Sequence, residues 1–398
     1  MALPVKGRES MAYTIVQPRV IHMGVGSLCF LGGELSQRDP ARILVVVDPT
    51  ITQLGITERV FENMGAYRDR TEVFINPTPD PDITIVERCA HRVRSGSFDM
   101  VIGVGGGSPM DVAKAASVAA AHDEDIRDLL GRFLLKRRGI PLILIPTTAG
   151  MGTEVTQAAV MEDPDLHSKK SIWDPRAVPD VAIVDPELVK SAPPSLTADT
   201  ALDALFHGIE GCTAQTTHPV AQLYCREAIR LLSSNLRRAY EHGEDMEARD
   251  ALSRAATLAG IGFSNGGLGA VHGLALALDS EPGFNHGKGL AILGPWIMNF
   301  NRIGNEALYA TLARDMGEDV SGLDSDAASL LACRAAQRLA ADVGIPGHLK
   351  DHDLTEGNIP IVAERAYKLS QRLMPMNIRS MTRADVHSIF EDAYDGTL

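Results

Sequence analysis

Five short β-branched runs, at residues 43–48, 73–75, 100–104, 142–146 and 181–184, alternate with stretches of helical spacing. Runs that are apolar on both faces, with helices between them, predict a parallel sheet covered on both sides, because each crossover helix buries one face. Ile85, Val86, Cys89 and Val93 mark one such helix over residues 82–96, and Pro109 opens another that runs to residue 122. Past Asp185 the strand signal fades. Pro193-Pro194 mark a boundary, after which residues 196–211, 220–240, 247–261, 328–343 and 383–394 read as helices. Ser195 or Thr197 is expected to cap the first of these, and Gly344 with Pro346 to stop another. The organisation expected is an extension at residues 1–12, an α/β dinucleotide-binding domain with a parallel sheet at 13–188, and an all-helical domain at 189–398.

A chain of 398 residues can bury two cores, and 45% hydrophobic with 22% charged residues suits a globular enzyme. A formal net charge of -13 argues against a nucleic-acid partner, since no wide basic face is available to neutralise phosphates. Cys29, Cys89, Cys212, Cys225 and Cys333 are scattered and odd in number, without a C-x-x-C spacing, which fits a reducing cytoplasm. Residues 1–11 carry Lys6, Arg8 and Glu9 but no apolar core, so no secretory signal is expected, and no run is long enough to span a bilayer.

Gly105-Gly106-Gly107-Ser108 follows the strand at 100–104 and precedes an alanine-rich helix. Glycines let a backbone approach a pyrophosphate, and the free N–H groups of the helix start supply donors to it. The turn is neither G-x-G-x-x-G nor a Walker loop, and taken alone such a turn is more often a tight connection than a phosphate site. Asp48 ends another strand, where a carboxylate can bind ribose hydroxyls and repel a 2′-phosphate, favouring NAD over NADP; its plainer role is to form the turn before Pro49. Thr147 and Thr148 offer hydroxyls at the same edge.

Asp203 and His207 stand one helical turn apart, so one cation can reach both, and His272 and His286 would close the shell. With no cysteine among the four, the set favours a borderline divalent ion such as iron(II) or zinc. The alternative is a salt bridge between core residues; the glycines around His272 and after His286 favour close approach of a bound group. Asp199 is also at helical spacing but sits two turns from His207, too far to share the ion. The remaining histidines, among them His22, His122 and His218, are expected to be solvated.

Taken together these motifs resemble the iron-containing, or group III, alcohol dehydrogenase family. The resemblance covers about Val20 to Tyr394 and rests on GGGSPMDVAK at 105–114, PTTAGMGTEVT at 146–156, PDVAIVDP at 179–186, DALFHGIE at 203–210, His272, His286, and a tail at 376–379 and 383–386. It implies the two-domain dehydroquinate synthase-like fold, with a metal, iron(II) or alternatively zinc, on Asp203, His207, His272 and His286 as the catalytic centre. It implies NAD lying across Asp48, Asn76, Gly106, Gly107, Ser108, Asp111, Thr147 and Thr148, with Lys169 near the ribose. The activity implied is NAD(H)-dependent oxidation of a small alcohol or reduction of an aldehyde, of diol, lactaldehyde or hydroxy-acid type, in a cytoplasmic homodimer or larger homo-oligomer. Two departures stand out: Leu276 replaces a histidine the family often has four residues after the third ligand, and Asn285 and Lys288 flank His286-Gly287. Lys288 is either a solvated lysine or a partner for an anionic substrate tail. A glycerol dehydrogenase-like enzyme shares the fold. A metallohydrolase and a non-catalytic nucleotide binder are the readings from other classes.

Overall fold

The computed structural model describes residues 12–76, 81–165 and 168–398. The chain divides into two compact units. The first ends at Thr148 and resumes at Gly152–Ser191, and the second comprises Ala149–Met151 and Ala192–Leu398. The expected extension at 1–12 lies outside the described residues except for Ala12.

In the first unit the strands are β1 (Val20–Met23), β2 (Ile43–Val47), β3 (Thr71–Ile75), β4 (Met100–Gly105), β5 (Gly131–Arg132), β6 (Leu142–Pro146), β7 (Ala158–Asp163), β8 (Ser168–Trp173) and β9 (Val181–Val184). Its helices are α1 (Leu31–Arg38), α2 (Pro49–Gln53), α3 (Ile56–Met64), α4 (Ile83–Ser95), α5 (Gly107–Ala121) and α6 (Ile126–Leu129). Six strands form one sheet in the order β1-β9-β6-β4-β2-β3, with every neighbouring pair parallel.

The apolar runs explain its two faces. Ile43, Val45, Ile102, Val104, Ile143 and Ile145 pack with Leu31, Leu35, Ile56 and Val60, while Leu44, Val46, Val101, Leu142 and Leu144 pack with Val86, Cys89, Val93 and Val112. Alternate residues of one strand thus enter different cores, which is why no polar positions interrupt these runs. Each such side chain contributes about 1.5–3 kcal/mol relative to exposure.

Two pieces differ from the expectation. The edge strand β1 is half-buried along its whole length, so its sequence lacks the continuous apolar signal of the central strands. A second sheet, β5-β8-β7, pairs β7 with β8 antiparallel, and the polar start of β8, with Lys169 and Lys170, conceals it.

The chain leaves β2 toward β3 on one side and β4 toward β6 on the other. In open α/β sheets the crevice beyond the carboxyl ends of two such strands is where ligands bind. Asp48 and Gly105–Gly107 occupy that place here.

The second unit is helical: α7 (Pro194–Thr213), α8 (Pro219–Glu241), α9 (Met246–Gly266), α10 (Ala270–Ala275), α11 (His286–Arg302), α12 (Glu306–Asp315), α13 (Ser325–Asp342), α14 (Ile359–Leu369) and α15 (Arg383–Asp395). From Ala201 to Thr213 every residue of α7 is buried, and α8, α9 and α11 pack around it. A helix buried on all sides has to lie at the centre of its bundle.

Helix α7 starts at Pro194 with no side-chain cap, so neither Ser195 nor Thr197 plays the expected part. The Thr197 hydroxyl instead donates to the Pro193 carbonyl at 3.1 Å and accepts from Arg249 at 2.7 Å. Two expectations for the histidines also change. His122 is buried, its Nδ1 donating to the Val118 carbonyl at 2.8 Å while Nε2 accepts from the Lys136 N–H at 3.3 Å, and His218 caps α8 through Nδ1. Among the described residues no helix is long and apolar enough to cross a membrane.

Candidate metal centre and dinucleotide loop

Asp203, His207 and His272 each offer a ligand atom within 4.8 Å of the other two, and all three are buried. The first two share a face of α7, one turn apart, and the third lies on the short helix α10. His286 opens α11; its ring stands 5.7 Å from that of His272, and its side chain is 31% exposed, at the rim of the group. Asp199 is not part of it and instead accepts from the Asn285 amide at 2.7 Å.

The side chains are held from several directions. The His207 ring is stacked between Phe263 at 4.0 Å and His272 at 4.3 Å. His272 Nδ1 meets the Glu210 carboxylate at 2.5 Å, and Nε2 lies 3.4 Å from Asp203. His286 Nδ1 meets Asp279 at 3.3 Å.

Burial would raise the Asp203 carboxyl, but the surrounding imidazoles outweigh it and hold the group well below the ordinary carboxylate range. Burial pushes His207 down to about 3 in spite of Asp203. His272 is also opposed by burial, yet hydrogen bonds to Asp203 and Glu210 carry it up to about 9. An ionised carboxylate, a neutral imidazole and a proton-holding imidazole therefore crowd together.

This arrangement fits a cation. His207 Nδ1 is buried without a hydrogen-bond partner, 3.5 Å from an Asp203 oxygen, and an orphaned buried nitrogen facing a carboxylate is what a ligand atom leaves when its ion is taken away. One carboxylate with imidazoles and no thiolate suits iron(II) or zinc.

Glu210, Asp279 and Phe263 were not anticipated. Glu210 had a signal, since it follows Asp203 by seven residues and therefore lies two turns along the same face of α7. Phe263 and Asp279 reach the centre only through tertiary packing and have no local mark.

At the carboxyl edge of the parallel sheet, Asp48 caps α2 by accepting from Thr50 and Ile51, as the plainer reading required. Its other oxygen faces the glycines: Gly105 has φ +144, and a Cβ there would lie 2.4 Å from Pro109 Cγ and 3.2 Å from Asp48 Oδ2. Gly106 precedes α5, whose first turn no side chain caps, and Thr148 lies beside it, with methyl and hydroxyl 3.6 Å from where a Cβ would stand. Thr147 N–H donates to the Gly105 carbonyl at 2.9 Å, and Asn76, buried after β3, donates its N–H to Val47 at 2.7 Å. Gly106, Gly107, Ser108, Thr147, Thr148, Asp48 and Asn76 thus follow the carboxyl ends of four adjacent strands.

Asp111, on the first turns of α5, is buried against Lys114 and the Val160 N–H, with Lys169 of β8 within electrostatic reach, and its carboxyl is raised by that burial. Lys114 donates to the carbonyls of Thr153, Thr156 and Ala158 at 2.6 to 2.8 Å, tying that loop to α5. Leu276 is half-buried just past α10, and Lys288 donates to the Gly283 carbonyl at 2.6 Å.

Known proteins agree with this layout along the whole chain. A family model described as Iron-containing alcohol dehydrogenase matches residues 18–186, and one described as Fe-containing alcohol dehydrogenase family, C-terminal, matches 197–394. The long-chain-alcohol dehydrogenase 1 of Geobacillus thermodenitrificans is 35% identical over 388 residues, which is 96% of this chain and 97% of that protein. A 1,3-propanediol oxidoreductase structure is similar with a TM-score of 0.91 and 32% identity, over 96% of this chain and 100% of that one. A sulfoacetaldehyde reductase from Bifidobacterium kashiwanohense, solved in complex with NAD+, gives 0.86 and 27%, over 96% and 98%. With both halves matched and the centre assembled, the chain belongs to the iron-containing alcohol dehydrogenase family and is an oxidoreductase that interconverts alcohols and their carbonyl compounds.

Proposed function

We propose that this enzyme oxidises a small alcohol, or reduces the matching aldehyde, with NAD(H) held by the α/β unit and a divalent cation held by Asp203, His207, His272 and His286 of the helical unit. The observation that carries the reading is the buried convergence of Asp203, His207 and His272 around an unpartnered His207 nitrogen. When bound, NAD supplies the hydride acceptor or donor and the cation supplies Lewis acidity toward the substrate oxygen.

The protein's own groups do the rest. Asp203 stays ionised and offsets the cation's charge, while His207, kept neutral by burial, keeps its lone pair free for it. Phe263 and His272 fix the His207 ring plane by stacking. The N–H groups of Gly107 and Ser108 at the start of α5 bind the pyrophosphate, Thr147 and Thr148 flank it, and Asp48 takes the ribose hydroxyls. Asn76 and Lys169 complete the dinucleotide site, Lys169 near the ribose; Asp111 supports the loop from beneath. Leu276 has no atom that can carry a proton, so the proton leaves through water or a ribose hydroxyl.

The five free thiols, four of them buried, support a cytoplasmic location, and the family resemblance supports a homodimer or larger homo-oligomer. Iron(II) is the cation the family points to, with zinc as the alternative.

The test is a panel of diols, hydroxy-aldehydes and straight-chain alcohols, assayed by the NADH absorbance after anaerobic loading with iron(II) or zinc. Alcohol-dependent NADH formation that requires the metal is expected. Turnover at full rate in material stripped of metal would overturn the reading.

A further inference from the structure

Helix α10 has no cap of its own, because its N-cap is Gly269. Its first three N–H groups are instead taken by side chains from elsewhere in the unit. Ala270 donates to Asn377 Oδ1 at 3.2 Å, Val271 to Glu210 Oε1 at 2.7 Å and His272 to Glu210 Oε2 at 3.2 Å. A Cβ at residue 269 would come within 2.9 Å of Asn377 Oδ1 and 3.0 Å of Glu210 Oε1, so only glycine lets those acceptors in.

Glu210 Oε2 also takes the ring, meeting His272 Nδ1 at 2.5 Å. One buried carboxylate thus grips both the backbone and the imidazole of a single residue. With its Nδ1 proton committed to Glu210, the ring has only Nε2 left to give a cation once that nitrogen sheds its proton, and Nε2 lies on the Asp203 side, 3.4 Å from that carboxylate.

We propose that Glu210 is the positioning residue of the metal centre: it fixes the His272 tautomer and the orientation of its ring, and couples both to the seating of α10. The proposal rests on the reading that His272 is a ligand. Asp279 is related to His286 in the same way, but through a single 3.3 Å contact at the rim, so Glu210 carries the larger share.

The experiment compares zinc affinity, from chelator competition, in the wild type, Glu210→Gln, Asn377→Ala and His272→Ala. Long-range nitrogen–proton NMR of the histidine rings in zinc-loaded wild type accompanies it. Glu210→Gln is expected to weaken zinc by ~10–100-fold. Asn377→Ala, which loses a cap on the same helix without touching the ring, is expected to keep wild-type affinity. NMR is expected to place the His272 proton on Nδ1, and this needs no variant to fold.

Wild-type zinc affinity in Glu210→Gln, an equal loss in Asn377→Ala, or the proton on Nε2 overturns the proposal. The ligand reading fails separately, if His272→Ala itself keeps its zinc.

Discussion

The α/β unit and the helical unit offer ligands different parts of the chain. In the proposed dinucleotide loop most of the contacts on offer are backbone: the N–H groups of Gly107 and Ser108 at the start of α5, and the close approach Gly105 permits with φ +144. In the proposed metal centre everything is side chain, drawn from α7, α10 and α11 and braced by Glu210, Phe263 and Asp279. A backbone site is damaged by adding atoms and a side-chain site by removing them. The same kind of substitution should therefore have opposite consequences in the two units.

The largest effect is expected from His272→Ala, which should abolish metal retention and lower turnover on the order of a thousandfold, since Lewis acidity contributes several kcal/mol. Elemental analysis together with anaerobic kinetics would check it, and a variant that kept full activity would remove the helical half of the comparison.

Next is Lys114→Met, in the α/β unit. It leaves the carbonyls of Thr153, Thr156 and Ala158 buried without their donor and should cost roughly 3–5 kcal/mol in denaturant unfolding. Unchanged stability would mean that the loop holds its own shape.

Gly105→Ala sharpens the contrast directly, because one added methyl meets Pro109 and a backbone angle that L-residues avoid. About 1–3 kcal/mol of stability should go, with weaker NADH binding in a fluorescence titration. Equal NADH affinity would show that the loop has room to spare.

The smallest effect is Asp48→Ser, which keeps a cap for α2 while removing the charge, and should shift preference from NAD toward NADP by roughly tenfold in kcat/KM. Unaltered preference would confine Asp48 to its capping role.

The same division governs what could be read from the amino acids alone. The central strands announced themselves, since β2, β4 and β6 are apolar at every position to fill two cores. Asp203 and His207 were legible because helical spacing is a local rule, and by that rule Glu210 was within reach too. For His272 and His286 the only local mark was the glycines around them, as no local rule spans α8 and α9, which separate α7 from α10. Helix α11 was hidden by Pro295 in its interior and by its glycines, and β1 by its half-buried edge position. His122 looked like a surface histidine because its partners, at Val118, Lys136 and Arg137, are ordinary backbone groups.

The pairing of β1 with β9 has a consequence for how the chain acquires its shape. Val20 meets Val181, and the Gly26 and Leu28 amides bond to Asp185, across separations of 159 and 157 residues for the last two. Contacts this remote form slowly, because a long loop has to close before anything rewards it. During synthesis β1 therefore waits, unmatched, until the chain around Asp185, 159 residues after Gly26, has emerged. For that interval its open edge is exposed to self-association, and a chaperone would have most to do there.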